Sequence, residues 1–150
     1  MLTDLLLAIA HHVLIFGLAA ALVAEMMLVR PQMSPADALK VGRIDIVFGV
    51  LAGLVLIVGF ARVIFGIKGA DYYWANPFFH AKLGAFLLVG ILSIWPTVRF
   101  LKWRAATGRD PGFVPPSSEV EKVRRFIHLE LVVFILIPVF AAFLARGYGR

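Results

Sequence analysis

The chain has 150 residues, the size of one domain. Apolar residues make up 61% of it, charged residues only 16%, and the mean hydropathy is +0.92; a soluble domain carries about a quarter charged residues, so a water-soluble enzyme, a disordered chain and a coiled coil are excluded. Cysteine is absent, which removes disulfides, thiolate metal sites, iron–sulfur ligation and cysteine nucleophiles, and the net charge of +6 collects at the ends of apolar runs, where a lipid bilayer explains it better than nucleic acid does.

Four runs are long and nearly uncharged: Leu5 to Ala24, Ile46 to Ala61, Leu83 to Val98 and Leu131 to Ala145. None alternates with period two, which argues against a β-barrel, and in lipid the backbone must then bond to itself as helix. The last three runs fall short of the roughly 20 residues needed to cross the hydrocarbon. Snorkelling by Arg62, Lys82, Arg99 and Arg146 and interfacial Tyr72, Tyr73, Trp74, Trp95 and Trp103 extend them. The expected architecture is all-α, an integral membrane four-helix bundle in one domain, with spans at about 4–28, 43–67, 77–101 and 124–146.

Helix starts are marked in chain order. Thr3 and Asp4 are candidate caps for the first helix; Ser34-Pro35-Ala36-Asp37 places a cap before a proline at the first helical position; Asn76-Pro77 repeats that signal; Ser118-Glu119-Val120-Glu121 reads as a capping box. The second and fourth helices are therefore expected to begin outside the lipid. Pro96 and Pro138 are candidate kinks, and Thr107 to Ser118 reads as the one extended loop. Ten Lys and Arg lie in the first and third loops and their flanks, against Arg62, Lys68, Arg146 and Arg150 on the other side. Positive charge stays in the cytoplasm, which predicts periplasmic termini in a bacterial inner membrane. With acidic Asp4 where a basic region should be, the first helix reads as a retained anchor and not a cleavable signal.

Ionisable groups within spans are costly and mark function. His11 and His12 lie two to three turns into the first span, about 100° apart around it. Asp4, His11, Leu18 and Glu25 recur every seven residues, so that stripe is the expected inward face and favours His11 over His12 as the buried ring. His80 opens the third span on the same side of the bilayer; His128 is on the opposite side. Two facing histidines would give a six-coordinate haem b site, with His11 or His12 and His80 as the best pair by depth; the bland alternative is hydrogen bonding to neighbouring helices or headgroups. Lys82 is about 200° around the helix from His80, so one of the two should face the bundle, and snorkelling is the default for Lys82. Glu25, Arg30, Arg43 and Asp45, and again Arg99, Arg124, Arg125 and Glu130, read first as ion pairs that fix helix ends and second as a proton path or anion site. Gly49 and Gly53 form a small-xxx-small pair expected at a close helix contact, and the aromatic run from Tyr72 reads as an interfacial belt more than a quinone site.

Four features carry a resemblance that covers most of the chain: the early histidine (His11 or His12), Arg30-Pro31 near the end of that helix, His80-Ala81-Lys82-Leu83 opening span three, and Arg125 followed by Glu130. On these the chain resembles a domain-of-unknown-function family of small bacterial four-span predicted membrane proteins, and more distantly is similar to the oxygen-independent protoporphyrinogen oxidase of the HemJ type. Arg30-Pro31 and Leu129-Glu130 depart from the oxidase's Pro-Arg and Asn-Glu. The resemblance implies haem b at the early histidine and a functional role for Lys82. The expectation is a membrane haem-b or porphyrin-binding redox protein, with cofactor or metal contacts from His11, His12, His80 and Lys82 and electrons passing to quinone or a membrane partner. The alternatives are a non-catalytic membrane subunit, and a small transporter using Glu25, Asp45 and Glu130 that would need to homo-oligomerise.

Overall fold

The computed structural model describes residues 1–149; Arg150, counted above among the four cations of the termini side, lies outside the described residues. Four long helices carry the chain: α1 (Leu2–Leu28), α2 (Pro35–Phe65), α4 (Pro77–Arg109) and α5 (Ser117–Ala145), with a short α3 (Ala70–Trp74) before α4. Each long helix is apolar enough and long enough to cross a membrane. At 1.5 Å per residue they run about 40 to 50 Å, more than the roughly 30 Å of hydrocarbon, so polar turns extend beyond it. No strand occurs among the described residues.

The helices form a square. α1 packs on α2 and α5, α4 packs on α2 and α5, and α1 faces α4 and α2 faces α5 across the diagonals. Packing is densest within the pairs α1–α2 and α4–α5, so the bundle is two helical hairpins laid side by side. Its core is Leu18, Leu22, Phe48, Val55, Phe100, Trp103, Ile127 and Phe134, while Phe16, Ile57, Ile91 and Val132 are exposed around the outside. Large apolar side chains on the outside and carboxylates within is the reverse of a soluble domain and suits a lipid solvent.

Local chemistry explains most of the boundaries. Ser34 Oγ accepts from the Asp37 N–H and Asp37 accepts from the Ser34 N–H, a full capping box ahead of Pro35. The Ser34 N–H, helped by the Ser34 hydroxyl and Arg30, holds the Asp37 carboxyl below the usual carboxylate range in this polar first turn. Asn76 caps α4 through the Phe78 N–H. Two other expected caps fail. α1 starts without a side-chain cap, and Asp4 instead accepts from the Ile67 N–H beyond α2. α5 starts at Ser117 behind Pro116 with no side-chain cap. Its acids are engaged elsewhere: Glu119 accepts from Arg99 (3.2 Å) and from the Trp103 indole N–H (3.0 Å), and Glu121 pairs with Arg125.

The expected loop from Thr107 shortens to 110–116, because α4 continues to Arg109 with the Thr107 hydroxyl donating to the Trp103 carbonyl. Pro96 and Pro138 sit inside continuous helices. Tyr72, Tyr73 and Trp74 fold as α3 and Phe78 and Phe79 open α4; at this termini end the Tyr72 hydroxyl donates to the Leu144 carbonyl and Lys68 to the Ala145 carbonyl, capping α5. At the basic end Arg124 does the same for α1, donating to the carbonyls of Met26 and Val29.

Candidate functional site

Two polar clusters of opposite sign lie inside the bundle. The first is in the half nearer the termini. His11 is 8% exposed, as the seven-residue stripe predicts, and Leu18 and Glu25 on that stripe are buried with it. Its ring leans on Gly59: a Cβ there would stand 3.2 Å from His11 Cε1, so any other residue would press the imidazole aside by a few tenths of an ångström. The Nδ1 atom is buried without a hydrogen-bond partner. Leaving such a group unsatisfied costs roughly 1–3 kcal/mol, so His11 is poised to gain from a ligand.

His11 lines an apolar cavity with Gly59, Phe79, Phe86, Phe134 and Lys82. Lys82 therefore faces the bundle, with Nζ 5.7 Å from the centre of the Phe79 ring, and does not follow the snorkelling default. Arg62 lies within electrostatic reach of both His11 and Lys82. Among the described residues no carboxylate pairs with Lys82 or Arg62, so the pairing of Lys82 with Glu25 or Asp45 considered from sequence does not form. One lysine in an otherwise apolar wall, with Arg62 in electrostatic reach of it, suits an apolar molecule that carries carboxylate.

The other histidines are satisfied locally. His12 Nδ1 lies 2.6 Å from the Ala8 carbonyl on the exposed face, His80 Nε2 lies 3.0 Å from the Trp74 carbonyl, and His128 Nδ1 lies 2.9 Å from the Arg124 carbonyl. Neither His12 nor His80 lines the cavity, so the structure does not bring the expected histidine pair together there. Among the described residues no group of three His, Asp or Glu side chains is spaced to hold a bare metal ion. For haem the fit is partial. An orphaned imidazole, a glycine beside it and a lysine in the same wall match one axial ligand, a flat ring and a propionate. The cavity, about 60 Å³, holds only a few waters, so a macrocycle would also need the side on which it opens.

The second cluster lies toward the basic end. Glu25 from α1 is 2% exposed, Asp45 from α2 is 5% and Glu130 from α5 is 1%. They act on one another electrostatically. Asp45 accepts from the Thr97 hydroxyl of α4 at 2.7 Å, whereas Glu25 Oε1 and both carboxylate oxygens of Glu130 are buried without a partner. The sequence reading of these acids as ion pairs fixing helix ends is thus corrected: Arg30 pairs with Asp37, Arg99 with Glu119 and Arg125 with Glu121, so the arginines join acids of the polar turns and leave the interior three alone. Beside Asp45 and Thr97 a second cavity of about 310 Å³ opens between α2 and α4. It is there because Gly49 and Gly90 present no side chain, with nothing within 4 Å of a Cβ at either. Gly49 and Gly53 accordingly make no close helix contact; the close approaches on this side are at Gly17 to Leu51 and Gly42 to Arg104.

Comparison with curated proteins and with solved structures found no match, so the likeness to the protoporphyrinogen oxidase gains no support. A family model does match, over residues 3–149. The chain belongs to the DUF2214 family of predicted membrane proteins.

Proposed function

We propose that this protein is a membrane haem-b or porphyrin-binding redox protein whose ligand sits at His11. The observation that carries the reading is the buried His11 ring, which has no hydrogen-bond partner for Nδ1 and shares an apolar cavity with Lys82. His11 would supply a nitrogen ligand to the iron, Gly59 leaves its ring free, and Lys82, with Arg62 in electrostatic reach, would balance the propionates. Haem b bound there supplies one-electron chemistry. The protein's own contribution is apolar walls that exclude water and a cationic field that holds carboxylates. A haem held there would pass electrons to quinone or to a partner chain within the bilayer. The excess of Lys and Arg beside loops 29–34 and 110–116 supports an orientation with those loops in the cytoplasm and the termini in the periplasm of a bacterial inner membrane.

The test is the visible absorption spectrum of protein purified after haem-replete expression. A Soret band is expected in the wild type. Gly59→Leu, which drives a side chain toward His11, is expected to lose it while far-UV circular dichroism stays helical. A wild-type preparation with no Soret band overturns the proposal.

A further inference from the structure

The three interior carboxyls are unused by the redox site. They stand in the half of the bundle nearer the basic end: Glu25 is three residues from the end of α1, and Asp45 and Glu130 are about 15–20 Å along α2 and α5 from their first residues at 1.5 Å per residue. The groups that face them can be enumerated by helix. α1 contributes Glu25, α2 Asp45, α5 Glu130, and α4 only the neutral Thr97. The cations nearest in sequence point elsewhere: Arg99 to Glu119, Arg125 to Glu121, Arg124 to the α1 carbonyls, and Arg43 and Arg104 are exposed. Three negative charges brought together in a dry interior without a counter-ion would cost far more than a bundle of this size can absorb. No arrangement of three acids here is spaced for a metal ion among the described residues. The balancing positive charge that needs no cage is the proton.

The cluster is also reachable. Asp45 and Thr97 stand in the wall of the α2–α4 groove, with Ser93 one turn along α4 as a further hydroxyl. At about 310 Å³ the groove has room for several waters beside polar partners. Glu130, with both oxygens buried and unpartnered, is the group the trio's other members do not satisfy.

We propose that Glu25, Asp45 and Glu130 form a proton-exchange site buried inside the bundle near its basic end, reached through the groove between α2 and α4. The site handles protons independently of whatever occupies the His11 cavity, so it stands if the haem reading fails.

The probe is dicyclohexylcarbodiimide, an apolar reagent that reacts with a carboxylic acid in its protonated form. The acid's O–H adds across one C=N bond to give an O-acylisourea, which rearranges to a stable N-acylurea with no atom lost. Native membranes containing the full chain are treated, and the adducts are located by mass spectrometry. Adducts are expected on Glu130, Glu25 or Asp45, declining as the pH of the medium is raised. Asp37 and Glu119, which hold arginine partners, serve as comparison sites and are expected to stay unlabelled. Gly90→Leu, which fills the groove without touching any of the three acids, is expected to cut the labelling of Asp45 at least tenfold while the protein elutes and folds as the wild type. Labelling confined to the paired acids overturns the proposal. So does full labelling that sodium ions suppress at fixed pH, which would assign the site to a metal cation.

Discussion

Glu130→Met should make the bundle more stable. Glu130 is 1% exposed, and neither carboxylate oxygen has a partner. Burying a polar group unsatisfied costs roughly 1–3 kcal/mol on protein scales. Methionine is unbranched and nearly as long, so it fills much the same buried space while removing the unsatisfied oxygens. Removing one of three interacting acids also relieves Glu25 and Asp45. The expected gain is therefore about 1–3 kcal/mol. Asp45→Leu is the internal comparison. Its Oδ1 already accepts from Thr97, a bond worth about 1 kcal/mol net, and the substitution orphans that hydroxyl, so its gain should be smaller. The assay is unfolding in mixed micelles of increasing SDS fraction, followed by circular dichroism. A Glu130→Met protein less stable than the wild type would show that the carboxyl is satisfied, and would refute the reasoning.

Other substitutions should act through the polar turns. Glu119→Ala removes the acceptor of both Arg99 and the buried Trp103 indole and should destabilise by about 1–3 kcal/mol in the same micelle titration, whereas Glu121→Ala, which loses only an exposed pair with Arg125, should change stability by less than about 0.5 kcal/mol. Ser34→Ala deletes the capping hydroxyl of α2 and should cost about 0.5–2 kcal/mol. Asp37 predicts a pH dependence: its folded carboxyl is the stronger acid, so its contribution is full above the unfolded value of about 3.9 and is lost as pH falls through the lower, folded one. Thermal melts of Asp37→Asn should accordingly fall below the wild type at neutral pH and converge with it in strong acid.

The architecture was legible because lipid imposes a simple rule: apolar length sets the spans and proline after Ser34 or Asn76 sets their starts. The seven-residue stripe of α1 was equally legible, since helix geometry alone decides which of two adjacent histidines turns inward. What sequence did not reveal was pairing across helices. Whether Glu119 caps its own helix or reaches Trp103 depends on where α4 stops, and α4 runs past Gly108 and ends only just ahead of Pro111. The interior acids were misread for the same reason. Glu25 and Asp45 have arginines nearby in sequence, but Arg30 is claimed by Asp37 in the capping turn and Arg43 points outward. Gly49 and Gly53 followed a packing motif, yet spacing cannot tell a glycine that admits a helix from one that leaves a groove. Lys82 was placed by its distance from the span end, where its helical face mattered more.

The most direct test of the central claim is an alanine series over the four histidines, read in absorption at equal protein concentration. His12, His80 and His128 already use a ring nitrogen on a backbone carbonyl, and His11 does not. The account predicts that His11→Ala abolishes the Soret band and that the other three retain it. A band that survives His11→Ala and disappears with His12→Ala or His80→Ala would contradict it.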